Sequence, residues 1–288
     1  MATENPPSSS REIDRREFVV LSVAAGIVAT TRSAAASAVD IVERDVEIKT
    51  PDGTCDAAFI HPATGAFPGV LLWPDAFGLR PWTREMARRL AAEGYSVLVP
   101  NPFYRVSKAP FSDPSGFDFK KEDDMAKLRK LMGSVTAPGA AEKDAAAYVG
   151  FLDAQKEVDK ARKIGTQGYC MGGPLVMRTA ASQPDRIGAG GSFHGGGLVT
   201  DKPDSPHLLV PKMKAQFLFA IAENDAMRQP EQEPTLREAF AKANLPAVVE
   251  VYKGTMHGWC PPDAAVYNHD QAEKAWSAML DLFKRALV

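Results

Sequence analysis

The chain has 288 residues and a formal net charge of −2 at pH 7; it is 45% hydrophobic, 24% charged and 8% aromatic. These fractions are ordinary for a globular protein and exclude a disordered, collagen-like or disulfide-dense chain. The near-zero charge leaves no basic field for nucleic acid, and three cysteines leave at least one thiol unpaired within the chain.

Residues 1–10 are polar and rich in Pro and Ser. Asp14-Arg15-Arg16-Glu17-Phe18 then leads into an apolar stretch from Phe18 to Ala29. A membrane-spanning helix needs about 20 residues, so this stretch is too short to span but suits the apolar region of a signal peptide. Ala36-Ser37-Ala38 fits the small-x-small cleavage rule, and the paired arginines resemble a twin-arginine export signal. The expectation is cleavage after Ala38 and export to the bacterial periplasm, with no stable membrane insertion afterwards. The competing reading is an amphipathic N-terminal helix of the folded domain.

The rest, residues 39–288, reads as a single α/β domain. Residues 44–50 and 55–61 alternate as a strand pair around Pro51-Asp52-Gly53. Gly69–Trp73 is a short apolar run, as a buried parallel strand should be. Residues 82–93 have helical spacing stopped by Gly94, and Tyr95–Val99 is the next strand. The stretch 101–138 carries Phe103, Tyr104, Phe111, Phe117 and Phe119 and one helical run at 121–132; it reads equally as a wall over a pocket or as core packing. A helix at 139–157, a strand at Lys163–Tyr169 and a helix at Pro174–Ser182 follow. Strands are expected at Ile187–Phe193, Ala215–Ala222 and Ala247–Tyr252, and helices at 231–243 and 264–286. This alternation implies a mostly parallel central sheet with helices on both faces, and ligand sites at the carboxyl ends of its strands.

Gly168-Tyr169-Cys170-Met171-Gly172-Gly173 falls where a strand turns into a helix. A nucleophile elbow needs small residues on both sides of the nucleophile, because a Cβ there would strike the neighbouring strand and helix. Pro174 is tolerated in the first helical turn, and a helix N-terminus favours a thiolate. A buried structural cysteine is the bland alternative. A thiol nucleophile needs a base, and the base an orienting acid, in the chain order nucleophile, acid, histidine. His61 precedes Cys170; His194 and His207 precede the best acid; His269 sits in an apparent helix. His257 remains, in the loop after Ala247–Tyr252, with a solvated loop histidine as its competing reading. Asp225, in Glu223-Asn224-Asp225, follows the preceding strand, and Glu223 competes with it. The expected oxyanion donors are the backbone N–H of Met171 and of Ala76, the latter in the loop after Gly69–Trp73.

His194-Gly195-Gly196-Gly197 looks like the oxyanion motif of some esterases but follows the nucleophile instead of preceding it. It reads as a strand-end loop lining the pocket, with His194 touching substrate or serving structure. Trp259, beside the histidine loop, is a further substrate-lining candidate. Cys260 lies close enough to His257 in sequence to reach the site, and whether it or Cys55 forms a disulfide stays open. No Walker loop, dinucleotide fingerprint or metal-ligand spacing occurs, so no cofactor and no metal are expected.

These residues resemble the dienelactone hydrolase family, an α/β-hydrolase branch with a cysteine nucleophile, over roughly residues 45–285. The most specific piece is Gly168-Tyr169-Cys170-Met171-Gly172-Gly173 against the family's G-Y-C-x-G-G; Asp225 and His257 match the other triad positions. The resemblance implies cofactor-free hydrolysis of small esters or lactones through an acyl-thioester. Asp75 stands where the family has a glutamate that interacts with the resting thiol. Pro100-Asn101-Pro102-Phe103-Tyr104-Arg105 matches a stretch that carries a substrate-binding arginine, which implies that Arg105, with Tyr104, meets a substrate carboxylate. The family's second arginine is replaced by Pro261, so the reaction class transfers better than the dienelactone substrate. A small-molecule ester or lactone is the expected partner, and the assembly a monomer or weak dimer. The alternative function is a non-hydrolytic ligand-binding or thiol redox-sensing protein on the same fold.

Overall fold

Thr50 and Gly53 face each other across a tight turn, closing an antiparallel pair of β1 (Ile41–Thr50) and β2 (Gly53–Pro62). The computed structural model describes residues 39–111, 116–118 and 120–288. The expected export signal at 1–38 and Phe119 therefore lie outside the described residues. The remaining strands are β3 (Gly69–Trp73), β4 (Ser96–Pro100), β5 (Ile164–Tyr169), β6 (Ile187–Phe193), β7 (Gln216–Ala222) and β8 (Ala247–Tyr252). They form one eight-stranded sheet in the order β1-β2-β4-β3-β5-β6-β7-β8. β2 pairs antiparallel with β4, and every pairing from β4 to β8 is parallel.

Alternation along the strands divides the core in two, because successive side chains in a strand point to opposite faces. Leu71 and Trp73 of β3, Leu98 of β4, and Phe217, Phe219 and Ile221 of β7 face one side. There they meet α2 (Glu122–Thr136), α3 (Ala140–Ala154), α4 (Gly172–Ser182) and α6 (Gln232–Lys242). Val70 and Leu72, Val97 and Val99, and Leu218, Ala220 and Ala222 face the other side. They are covered by α1 (Pro81–Ala92) and α7 (His269–Ala286). Burial of both faces explains why the central strands read as continuous apolar runs.

Two of the differences from expectation bear on the site. α7 starts at His269, not 264, because the Asn268 side chain caps it by accepting from Gln271 N–H (3.2 Å), while 261–267 form turns behind Pro261-Pro262. The short helix α5 (Glu223–Arg228) buries no residue, so it carries no apolar periodicity to read. In the stretch 101–138, Leu128, Leu131 and Val135 of α2 are buried in the core, and Phe117 meets Phe77 edge to face at 5.4 Å.

Candidate active site

β5 ends at Tyr169 and α4 begins at Gly172, so the chain must reverse within two residues, and Cys170 carries the turn. It does so at φ +52, a left-handed conformation that costs a side-chain-bearing residue of order 1–3 kcal/mol and persists only where its surroundings impose it. The flanking glycines are imposed too. A Cβ on Gly168 would overlap the backbone of Gly172; one on Gly172 would lie 2.6 Å from Trp73 O; one on Gly173 would lie 2.6 Å from Gly195 Cα. Three backbone bonds pin the turn: Cys170 N–H donates to Phe193 O (3.0 Å), and Cys170 C=O accepts from Gly173 N–H (3.1 Å) and Gly196 N–H (3.4 Å). The thiol is left partly exposed at the carboxyl end of the sheet.

The loop after β8 brings His257 to it. Nε2 of His257 lies 3.1 Å from Cys170 Sγ, and Nδ1 lies 2.6 Å from Asp225 Oδ2. Gly254 (φ +72) and Gly258 (φ +94) supply the left-handed turns on either side of this histidine. Burial opposes the charge of the His257 ring, but hydrogen bonds to Asp225 and Cys170 outweigh it and raise its pKa to about 10. The arrangement can therefore hold a proton on the imidazole beside a sulfur, with a carboxylate fixing the ring.

The first turn of α5 grips this loop with three consecutive side chains. Glu223 accepts from Gly254 N–H (3.1 Å), Asn224 accepts from His257 N–H (2.8 Å), and Asp225 takes the ring. Glu223, the rival acid in the sequence, thus binds backbone. Asn224 escaped sequence reasoning; the only signal for it was its place in the Glu-Asn-Asp run at a strand end.

On the opposite side, Asp75 shapes the loop that carries Ala76. Its carboxylate accepts from Phe77 N–H (2.9 Å), and its carbonyl from Gly78 N–H (3.0 Å). The same carboxylate takes a two-pronged bond from Arg80 (2.6 and 2.9 Å), and Arg80 also donates to Asp263 (2.8 and 3.1 Å). Arg80, likewise unforeseen, ties the Ala76 loop to the segment that follows His257. Asp75, proposed from the family position as a partner of the thiol, is thus engaged by Arg80 and Phe77.

The remaining candidates are engaged by other side chains or packed near the imidazole. Arg105 donates to Asp144 (2.7 and 2.8 Å) and Asp52 (2.9 and 3.2 Å), and Tyr104 donates to Asp144 (2.8 Å). His194 (φ +41) and Trp259 are buried. The His194 ring stands edge-on to His257 at 5.2 Å and to Trp259 at 5.1 Å. Burial, then the neighbouring His257, keeps the His194 ring well below the usual histidine pKa and so neutral. Trp259 in turn stacks on Tyr252. Cys55 and Cys260 are free and buried. Burial is the leading cause that raises Cys55 to about 12 and Cys260 well above the usual thiol value, so both are poor nucleophiles. Among the described residues, no cluster of three or more His, Cys, Asp or Glu could hold a metal ion, and no helix is long and apolar enough to cross a membrane.

Residues 55–287 match the Dienelactone hydrolase family. The carboxymethylenebutenolidase of Rhodococcus opacus is 26% identical over 245 residues, covering 83% of this chain and 90% of that protein. Protein usf of Aquifex pyrophilus is 28% identical over 226 residues, covering 76% of this chain and 89% of that protein. The fold is also that of a dienelactone hydrolase-like promiscuous phosphotriesterase from metagenomic libraries: TM-score 0.72 at 23% identity, over 86% of this chain and 99% of that one.

Proposed function

The chain belongs to the dienelactone hydrolase family, and on that premise we propose that it hydrolyses small esters or lactones with Cys170 as nucleophile, His257 as proton carrier and Asp225 as orienting acid. The observation that carries this reading is the unbroken line from Asp225 Oδ2 through both nitrogens of His257 to Cys170 Sγ, at 2.6 and 3.1 Å. A protonated imidazole against the sulfur favours the thiolate, which is the nucleophilic form.

The thiolate attacks the ester or lactone carbonyl, and the carbonyl oxygen takes the negative charge. The N–H groups of Met171 and Ala76 stabilise it; one such donor is worth about 2.7–4 kcal/mol of barrier. Collapse breaks the carbon–oxygen bond, and His257 gives its proton to the departing alkoxide. An acyl-thioester remains on Cys170. His257, now neutral, takes a proton from water as the water attacks the thioester. Collapse expels the thiolate, releases the acid and restores the starting pair. Asp225 holds the ring in the correct tautomer throughout.

Two arrangements support this assignment over a structural role for the cysteine. The strain at Cys170 and the close-packed glycines around it belong to a turn that presents a side chain outward. The other two thiols are buried. Replacing Cys170 with Ala abolishes turnover of p-nitrophenyl acetate while the protein stays folded; an active Cys170→Ala protein overturns the proposal.

A further inference from the structure

Within the segment 101–138, readable from sequence as wall or as core, α2 does both. Beside the elbow lies a cavity of about 420 Å³ between α2 and α4, within the range of small-ligand sites. Its apolar walls include Met132 and Val135 from α2 and Pro174 and Leu175 from α4. Met171, the residue after the nucleophile, closes one side, and Gly196, whose N–H donates to the Cys170 carbonyl, closes another. This space therefore adjoins the elbow on the side of Met171.

The charges around it cancel. Arg178, in the wall, is held by Glu142 (2.9 Å) and Asp204 (3.1 Å). Arg80 and Arg105 are likewise each held by two carboxylates. Lys202, at the rim, is exposed to solvent, where an ammonium is well hydrated and attracts weakly. A substrate carboxylate in the cavity would lose its water and find no guanidinium free to replace it among these three arginines. An alkyl chain would lose only its contact with water, which is favourable.

We infer that the cavity between α2 and α4 is the acyl subsite and takes an uncharged, apolar chain. The assignment rests on the thiol-hydrolase reading above and names the substrate class for that site: neutral alkyl esters or alkyl-substituted lactones, not carboxylate-bearing ones.

The test is the kcat/KM series for p-nitrophenyl acetate, butyrate, hexanoate and octanoate, with the anionic p-nitrophenyl adipate as a control matched in length to hexanoate. Each methylene that enters the cavity raises kcat/KM by about fourfold, so hexanoate exceeds acetate by on the order of a hundredfold, and adipate falls below hexanoate. Ala137→Trp, in the cavity wall, lowers the hexanoate-to-acetate ratio about tenfold, and Met132→Ala moves the optimum to a longer chain. Each ratio is internal to one protein, so a loss of folded material cannot imitate the effect. Turnover that is flat or falling with chain length, or adipate faster than hexanoate, overturns this assignment and leaves the hydrolase reading standing. No turnover with any ester overturns the hydrolase reading, and the assignment with it.

Discussion

The Asp225 carboxylate sits 2.6 Å from Nδ1 of His257, on the far side of the ring from the sulfur. This contact does two jobs: it selects the tautomer and it favours the imidazolium. The ring pKa is about 10 in the folded protein, against about 6.5 in an unfolded chain. A group whose folded pKa is raised stabilises the fold fully below its unfolded value and loses that contribution as pH rises through the folded value. The stabilising window of His257 therefore closes between about pH 6.5 and about pH 10. NMR titration of the ring should show its proton retained to about pH 10 in the wild type. In Asp225→Asn the midpoint should move back toward 6.5, with kcat reduced by about four orders of magnitude. An unchanged midpoint in that variant contradicts the role given to Asp225.

Gly172 reads out the elbow itself. A Cβ there would lie 2.6 Å from Trp73 O and 2.9 Å from Pro74 O, both backbone atoms that cannot step aside. Gly172→Ala should destabilise the protein by about 1–3 kcal/mol, seen as a lower denaturation midpoint. It should also reduce activity, because β3 and the Ala76 loop would be pushed away from Cys170. A stable and fully active Gly172→Ala protein is incompatible with this packing.

Arg105 separates two roles. Asp144 is buried, and burial pushes its carboxyl pKa up while Arg105 and Tyr104 hold it down. Arg105→Ala would leave that carboxylate without its guanidinium. Breaking a buried pair in this way costs about 3–5 kcal/mol, so the variant should lose stability markedly. Were Arg105 a substrate clamp instead, stability would hold and KM would rise for anionic esters alone. Thermal unfolding and Michaelis curves on the same preparation distinguish the two.

We propose that residues 1–38 are a twin-arginine signal removed after Ala38. Mass spectrometry of protein exported from a bacterial host should find Val39 as its N-terminus. Substituting Arg15 and Arg16 with Lys should retain the protein inside the cell. Exported protein that keeps residues 1–38 contradicts the proposal.

Much of this was legible in the sequence. β3, β6 and β8 fall on the residues expected for them; β3 is the clearest case, because a strand buried on both faces is a short apolar run with sharp ends. The elbow could be read because its steric demands fix glycines at set spacings. His257 and Asp225 came from chain order, and the structure brings both to Cys170. What escaped has a common cause. Arg80 reaches Asp263 across 183 positions, and Arg105 reaches Asp144 across 39; no local pattern encodes which carboxylate an arginine will find. Asp75 and Arg105 were assigned from family positions, and their partners here depend on acids that those positions do not reveal. His194 and Trp259 were placed near the site by sequence neighbourhood, but their burial is a property of the packed loops.

The central claim is that Cys170 carries the acyl group. The direct measurement is intact and peptide mass spectrometry of acid-quenched protein during turnover of p-nitrophenyl acetate, under reductant, beside Cys170→Ala. The account predicts a transient acetyl group on the peptide containing Cys170, formed at the rate of the p-nitrophenol burst and absent from the variant. Turnover without an adduct on that peptide, or an adduct on another residue that persists in Cys170→Ala, would contradict it.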